Sequence, residues 1–84
     1  MLIHILYLAS LRDALGLRDE QVTLPAGATI ATLKTQLLAR GVLWQVTLNG
    51  KTPVHVAHNL ELVADDVPLA DGDEVAFFPP MTGG

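Results

Sequence analysis

The residues of this 84-residue chain best suited to chemistry lie in its last stretch, Asp71-Gly-Asp-Glu-Val-Ala-Phe-Phe-Pro-Pro-Met-Thr-Gly-Gly84. Gly83 and Gly84 carry no Cβ, so a narrow channel can admit them and the Gly84 carbonyl is open to attack. A carboxylate there is inert until activated. Adenylated by another protein, it becomes an acyl donor to a sulfur or nitrogen nucleophile. Pro79 and Pro80 lack N–H donors and hold φ near about −65°, which makes a stiff stem. Residues 79–84 therefore read as a flexible tail leaving a domain of residues 1–78.

No other group competes. The chain has no Cys, so it offers neither a disulfide framework nor a thiolate zinc site, in keeping with a reducing cytoplasm. It lacks the Gly-rich loop with Lys that cradles nucleotide phosphates. His55 and His58 stand three apart in an expected strand, hence on opposite faces, and cannot share a metal. His4 reads as a surface or edge residue. Asp65 and Asp66 are loop neighbours rather than an acid/base pair, and Ser10 has no His/Asp relay. No metal and no stably bound cofactor are expected.

Charge is unevenly placed. Residues 1–60 hold five Lys/Arg against three Asp/Glu, whereas residues 61–84 hold six Asp/Glu and no Lys/Arg. A tail leaving such an acidic surface disfavours nucleic acid and favours a basic docking face on another protein. The opening Met-Leu-Ile-His-Ile-Leu-Tyr-Leu is apolar but short and has no basic leader, so neither a signal peptide nor a membrane span is expected.

The elements that must hold the tail follow from periodicity. Residues 2–9 alternate as a strand, with Ile3, Ile5 and Tyr7 on one face and His4, Leu6 and Leu8 on the other. Ser10-Leu-Arg-Asp13 matches a capping box and Gly16 a helix stop, predicting a short helix over 10–16. Residues 20–24 predict a second strand. Thr29 should cap a helix over 30–40, with Ile30, Leu33, Leu37 and Leu38 as its apolar stripe and Gly41 as its stop. Residues 42–48 read as a weaker, partly extended segment in which Trp44 packs. Asn49-Gly50 predicts a hairpin into a strand over 54–58. Strands over 60–63 and 74–78 complete the set, the last placing Val75 and Phe77 on one face and Ala76 and Phe78 on the other. The result is an α+β domain, one sheet with its helix on one face.

The terminal fourteen residues resemble the ending of the small, sulfur-carrying subunit of molybdopterin synthase. Leu6-Tyr-Leu-Ala-Ser-Leu-Arg12 is similar to that family's first strand and following helix, and His58-Asn59 and Pro68-Leu69 fall at two further family steps. The resemblance implies a ubiquitin-like β-grasp fold with a mixed sheet, one main helix packed on one face and a short additional helix after the first strand. It implies that an adenylyltransferase of the ubiquitin-activating kind adenylates Gly84, using ATP and magnesium. A sulfur donor, such as a cysteine desulfurase or rhodanese, then makes the C-terminal thiocarboxylate. The loaded tail enters the large subunit of a heterotetramer, which holds the active site and converts cyclic pyranopterin monophosphate to molybdopterin. Gly83 would ease passage of the tail. Phe78, Arg12, Leu6, Leu8, Pro79, Pro80, Met81 and Thr82 would meet the partner. Two alternatives remain open: a β-grasp sulfur carrier for thiamine or tRNA thiolation, and an inert ubiquitin-like interaction module. The helix over 10–16 and Phe77-Phe78-Pro79-Pro80 weigh against a thiamine carrier.

Overall fold

The alternation of the opening residues becomes β1, Leu2–Tyr7, whose Ile3, Ile5 and Tyr7 are completely buried. The computed structural model describes residues 1–80. β1 pairs antiparallel with β2, Asp19–Thr23, and parallel with β5, Glu74–Phe78. β5 pairs antiparallel with β3, His55–His58, which pairs with β4, Glu61–Leu62, giving the order β2-β1-β5-β3-β4. Both strands with the clearest alternation, β1 and β5, thus sit inside the sheet. The helices are α1, Ser10–Leu15, α2, Ile30–Leu38, and α3, Val42–Asn49. Leu11 of α1 and Ile30, Leu33 and Leu37 of α2 join Ile3, Ile5, Tyr7, Val75 and Phe77 in one core. This is the mixed-sheet ubiquitin-like β-grasp expected from the resemblance.

Local chemistry explains several boundaries. The Thr29 hydroxyl accepts from the Thr32 N–H while the Thr32 hydroxyl accepts from the Thr29 N–H, a reciprocal cap typically contributing about 1 kcal/mol. Gly16 ends α1 in the left-handed conformation at φ 66°. The opening of α1 differs from expectation. Ala9, at φ 54°, occupies the cap position, no side chain caps the helix, and Ser10 is already its first helical residue. Ser10 thus stands inside the helix rather than at the cap position, where its hydroxyl would accept from the N–H groups of the first turn.

The segment expected to be partly extended is instead α3. Trp44 and Leu48, four apart, turn one side of it onto the core beside α1 and α2. The Tyr7 ring meets Trp44 edge-on, with centroids 5.6 Å apart, and the Arg40 guanidinium lies 4.6 Å above the Trp44 ring. These contacts override the weak helix propensity of Val42, Val46 and Thr47. Asn49-Gly50 makes no hairpin either. Gly50 closes α3 so tightly that a Cβ on it would collide with the Val46 carbonyl oxygen. The hairpin lies ten residues later, where Asn59 (φ 47°) and Leu60 (φ 74°) join β3 to β4. Two central residues with positive φ are the mark of a type I′ turn.

Candidate functional site

All three helices are packed on one side of the sheet, which leaves the other side open. The parallel register sets Leu6 of β1 beside Ala76 of β5, and the Leu8 N–H donates to the Phe77 carbonyl at 3.0 Å. Leu8 therefore follows β1 alongside Phe78. On the other flank, His55 of β3 is opposite Phe78, their rings 5.7 Å apart, and Ala57 is opposite Ala76. Leu62 of β4 pairs with Ala57. Leu6, Leu8, Ala76, Phe78, Ala57 and Leu62 thus form one apolar surface around the root of the tail. A continuous apolar surface of this kind is suited to contact with another protein.

The expected site residues divide accordingly. Leu6, Leu8 and Phe78 come together on the open face. Pro79 and Pro80 continue from β5 and are half-buried. Arg12 sits on α1, exposed, with Nε 3.9 Å from an Asp13 carboxylate oxygen. Met81, Thr82, Gly83 and Gly84 lie outside the described residues. Ala57 and Leu62 escaped the sequence reading. That β3 lies beside β5, and β4 beside β3, is set by topology alone. His55 and His58 fall on opposite faces, as their spacing required: His55 stands beside Phe78, and His58 bonds Asp73.

Two polar clusters hold β5 and β1 in place. At the start of β5, Asp73 accepts from the Ala70 N–H at 2.8 Å and lies 2.6 Å from His58 Nε2, while Asn59 Nδ2 donates to its second oxygen at 3.2 Å. The Asn59 side-chain oxygen Oδ1 accepts from the Glu74 N–H at 2.9 Å. This clasp ties the β3–β4 turn to the first residue of β5. The His58 bond, reinforced by the Ala70 N–H and Asn59, holds the Asp73 carboxyl below its ordinary pKa. At the other edge the Tyr7 hydroxyl donates to Glu20 at 2.7 Å, and Arg40 grips both Glu20 oxygens at 2.7 and 2.8 Å. Burial pushes the Tyr7 phenol far above its usual range, and the bond to Glu20 adds to this. Burial would raise Glu20, but the bonds from Arg40 and Tyr7 outweigh it and the carboxyl is lowered.

These shifts set a sign for the response to acid. A carboxyl with a depressed folded-state pKa stabilises the fold above its unfolded value and loses that contribution as pH falls through the folded one. Asp73 and Glu20 both belong to this class. The melting temperature is expected to be level from about pH 7 to pH 5 and to fall below about pH 4, where ordinary carboxylates titrate. Thermal scans of Asp73→Asn against the parent chain check this: the variant should lose part of the drop. An equally steep decline in the variant would remove Asp73 from the explanation.

Among the described residues no group of three or more His, Cys, Asp or Glu side chains could hold a metal ion. A cavity of about 230 Å³, crossed by the Lys34–Asp65 ion pair, lies between α2 and the end of α3 and is floored by Phe77, on the side away from Phe78. No helix among the described residues is long and apolar enough to cross a membrane. The described part offers an apolar surface beside the end of β5.

The ThiS family model matches residues 5–84. The molybdopterin synthase sulfur carrier subunit of Escherichia coli (strain K12) is 39% identical over 84 residues, spanning 99% of this chain and 100% of that protein. The subunit of the same name from Chlamydomonas reinhardtii is 37% identical over 86 residues, spanning 100% of both. Among solved structures, SAMP1 from Haloferax volcanii superposes with a TM-score of 0.83 at 25% identity, over 100% of each chain.

Proposed function

We propose that this chain, which belongs to the ThiS family, is a sulfur carrier that works in the cytoplasm as the small subunit of a molybdopterin synthase. The observation that carries this is the coincidence of two features. The chain matches sulfur carrier subunits over their whole length, and β5, which borders the apolar open face, is followed directly in the sequence by Pro-Pro-Met-Thr-Gly-Gly.

The chemistry follows from the end group. An activating enzyme joins the Gly84 carboxylate to AMP, using ATP and magnesium and releasing pyrophosphate. Sulfide attacks the acyl carbon and AMP leaves, so the terminus becomes a thiocarboxylate; where a protein persulfide attacks instead, it forms an acyl disulfide whose S–S bond a thiol then reduces, leaving the thiocarboxylate and a disulfide. No cofactor needs to stay on the chain. The loaded tail then enters the large subunit, where the sulfur passes to cyclic pyranopterin monophosphate. Two small and two large subunits make up the assembly. The open face holds the body of the carrier while the tail reaches inward. Six residues extend roughly 20 Å, enough for a buried centre.

Intact mass tests the carrier role. Incubation with activating enzyme, ATP and a sulfur source should add about 16 Da, one oxygen replaced by sulfur at the acyl carbon. No gain with a demonstrably active enzyme would reject it. Phe78→Ala should weaken binding to the large subunit by about 2 kcal/mol, roughly thirtyfold, as buried aromatic anchors do. Isothermal titration giving parental affinity would remove Phe78 from the interface. A second use of the same terminus, linkage to amines on other proteins, is favoured by the likeness to SAMP1, a small archaeal modifier protein. A mass shift of the whole chain onto a lysine-bearing target, in place of sulfur delivery to the pterin precursor, distinguishes it.

A further inference from the structure

Leu60 is the residue the fold has least reason to keep. It is the second central residue of the β3–β4 turn, at φ 74°, where an L side chain crowds its own backbone. Asn-Gly is the favoured pair for this turn, and Asn59 already supplies the first half. The Leu60 side chain is 88% exposed, more than any other large hydrophobic among the described residues. Strain and solvation both disfavour a leucine here, and among the described residues Leu60 belongs neither to the core nor to the side chains packed against it. Strained residues held by a rigid surround point to function, and the surround is rigid: Asn59 is bonded to Asp73 and to the Glu74 N–H.

We propose that Leu60 is an anchor by which the large subunit recognises this carrier, filling an apolar pocket with a basic rim. The proposal rests on the sulfur-carrier reading and adds a specificity determinant to it. Continuity names the occupant. From Leu60 the chain enters β4, where Leu62, 71% exposed, pairs with Ala57, and Ala57 pairs with Ala76, two residues before Phe78. At about 4.8 Å between strands and about 3.3 Å along them, Leu60 lies within roughly 20 Å of Phe78. One subunit face of ordinary interface size covers both. The protein that draws in the tail must sit on this side of the sheet, because the helices occupy the other. Charge names the pocket. Glu61 follows Leu60, and residues 61–84 hold six Asp/Glu and no Lys/Arg, so a basic rim complements the charge of this part of the chain. A turn already fixed by the clasp loses little freedom on docking.

The test separates strain from recognition because they move opposite ways. Leu60→Gly, Leu60→Asn and Leu60→Met are made in the full chain. Melting temperature and affinity for the cognate large subunit are measured, with thiocarboxylate loading followed alongside. Leu60→Gly is expected to melt a few degrees higher, since glycine accepts the positive φ, and to bind at least about tenfold more weakly. Leu60→Asn should also bind weakly, and Leu60→Met should hold close to parental affinity. Parental affinity in both the glycine and asparagine variants overturns the proposal. So does a defect confined to loading, which would give Leu60 to the activating enzyme. If the parental chain itself loads no sulfur and does not bind the large subunit, the sulfur-carrier reading falls first and takes this one with it.

Discussion

Removing Gly84 is expected to cut sulfur loading by more than about a hundredfold while leaving the melting temperature unchanged. The new terminus is again a glycine carboxylate, so the charge and the chemical group persist. Only the position changes: the acyl carbon is drawn back by one residue, about 3.3–3.6 Å. Adenylation and sulfur attack need the reacting atoms about 3–3.5 Å apart, and a 1 Å misplacement can already cost about a hundredfold. A displacement of a whole residue length therefore moves the carbon out of reach in the activating enzyme and again in the large subunit. The folded domain has no part in this loss, because its core is built from residues up to Phe77. Single-turnover loading followed by intact mass, with a thermal scan of the same preparation, checks both halves. Normal loading of the shortened chain would refute the carrier mechanism proposed above.

Phe77→Ala should produce the opposite pattern, a large loss of stability with the terminus chemically intact. Phe77 has no exposed surface, stacks on Tyr7 with centroids 6.1 Å apart and planes 14° from parallel, and closes the floor of the cavity beside α2. Truncating a buried Phe costs about 3–5 kcal/mol, set against roughly 4–13 kcal/mol of total stability for a domain this size. The site cannot collapse to fill the gap, since Tyr7 is tethered to Glu20 by its hydroxyl and braced by Trp44. A fall in melting temperature of at least about 12 °C follows, and urea titration gives the free energy directly. A loss below about 1 kcal/mol would show that the Tyr7–Phe77 stack is not the keystone it looks to be. The comparison with Phe78→Ala is informative because the two residues adjoin. β5 turns Phe77 into the core and Phe78 onto the open face, so one substitution should register in stability and the other in affinity.

The two clusters flanking these strands account for how β5 is held up to Phe78. The Asp73 clasp fixes where β5 begins, the Tyr7–Glu20–Arg40 group fixes β1 against β2 and α3, and the parallel β1–β5 pairing carries both to Phe78. The tail therefore departs from a strand restrained on both sides.

Whatever depends on near neighbours in the chain could be read from the sequence alone. Alternation in residues 2–9 and 74–78 assigned Ile3, Ile5, Tyr7, Val75 and Phe77 to the core, because side chains on a strand must point to opposite faces in turn. Thr29 announced α2 because a cap acts over three residues. The terminal motif announced the chemistry because its working group is the backbone itself. Tertiary structure decided the rest. Residues of middling helix propensity became α3 only because Trp44 found Tyr7 and Arg40, partners 37 and 4 positions away in the sequence. Asn49-Gly50 carried the better hairpin signal, yet the hairpin formed at Asn59-Leu60, because β3 takes β5 rather than the preceding segment as its partner. The open face joins residues of four strands that no local pattern connects. Contacts between distant residues form only where the whole fold repays the entropy of bringing them together, and no short stretch of sequence records that balance.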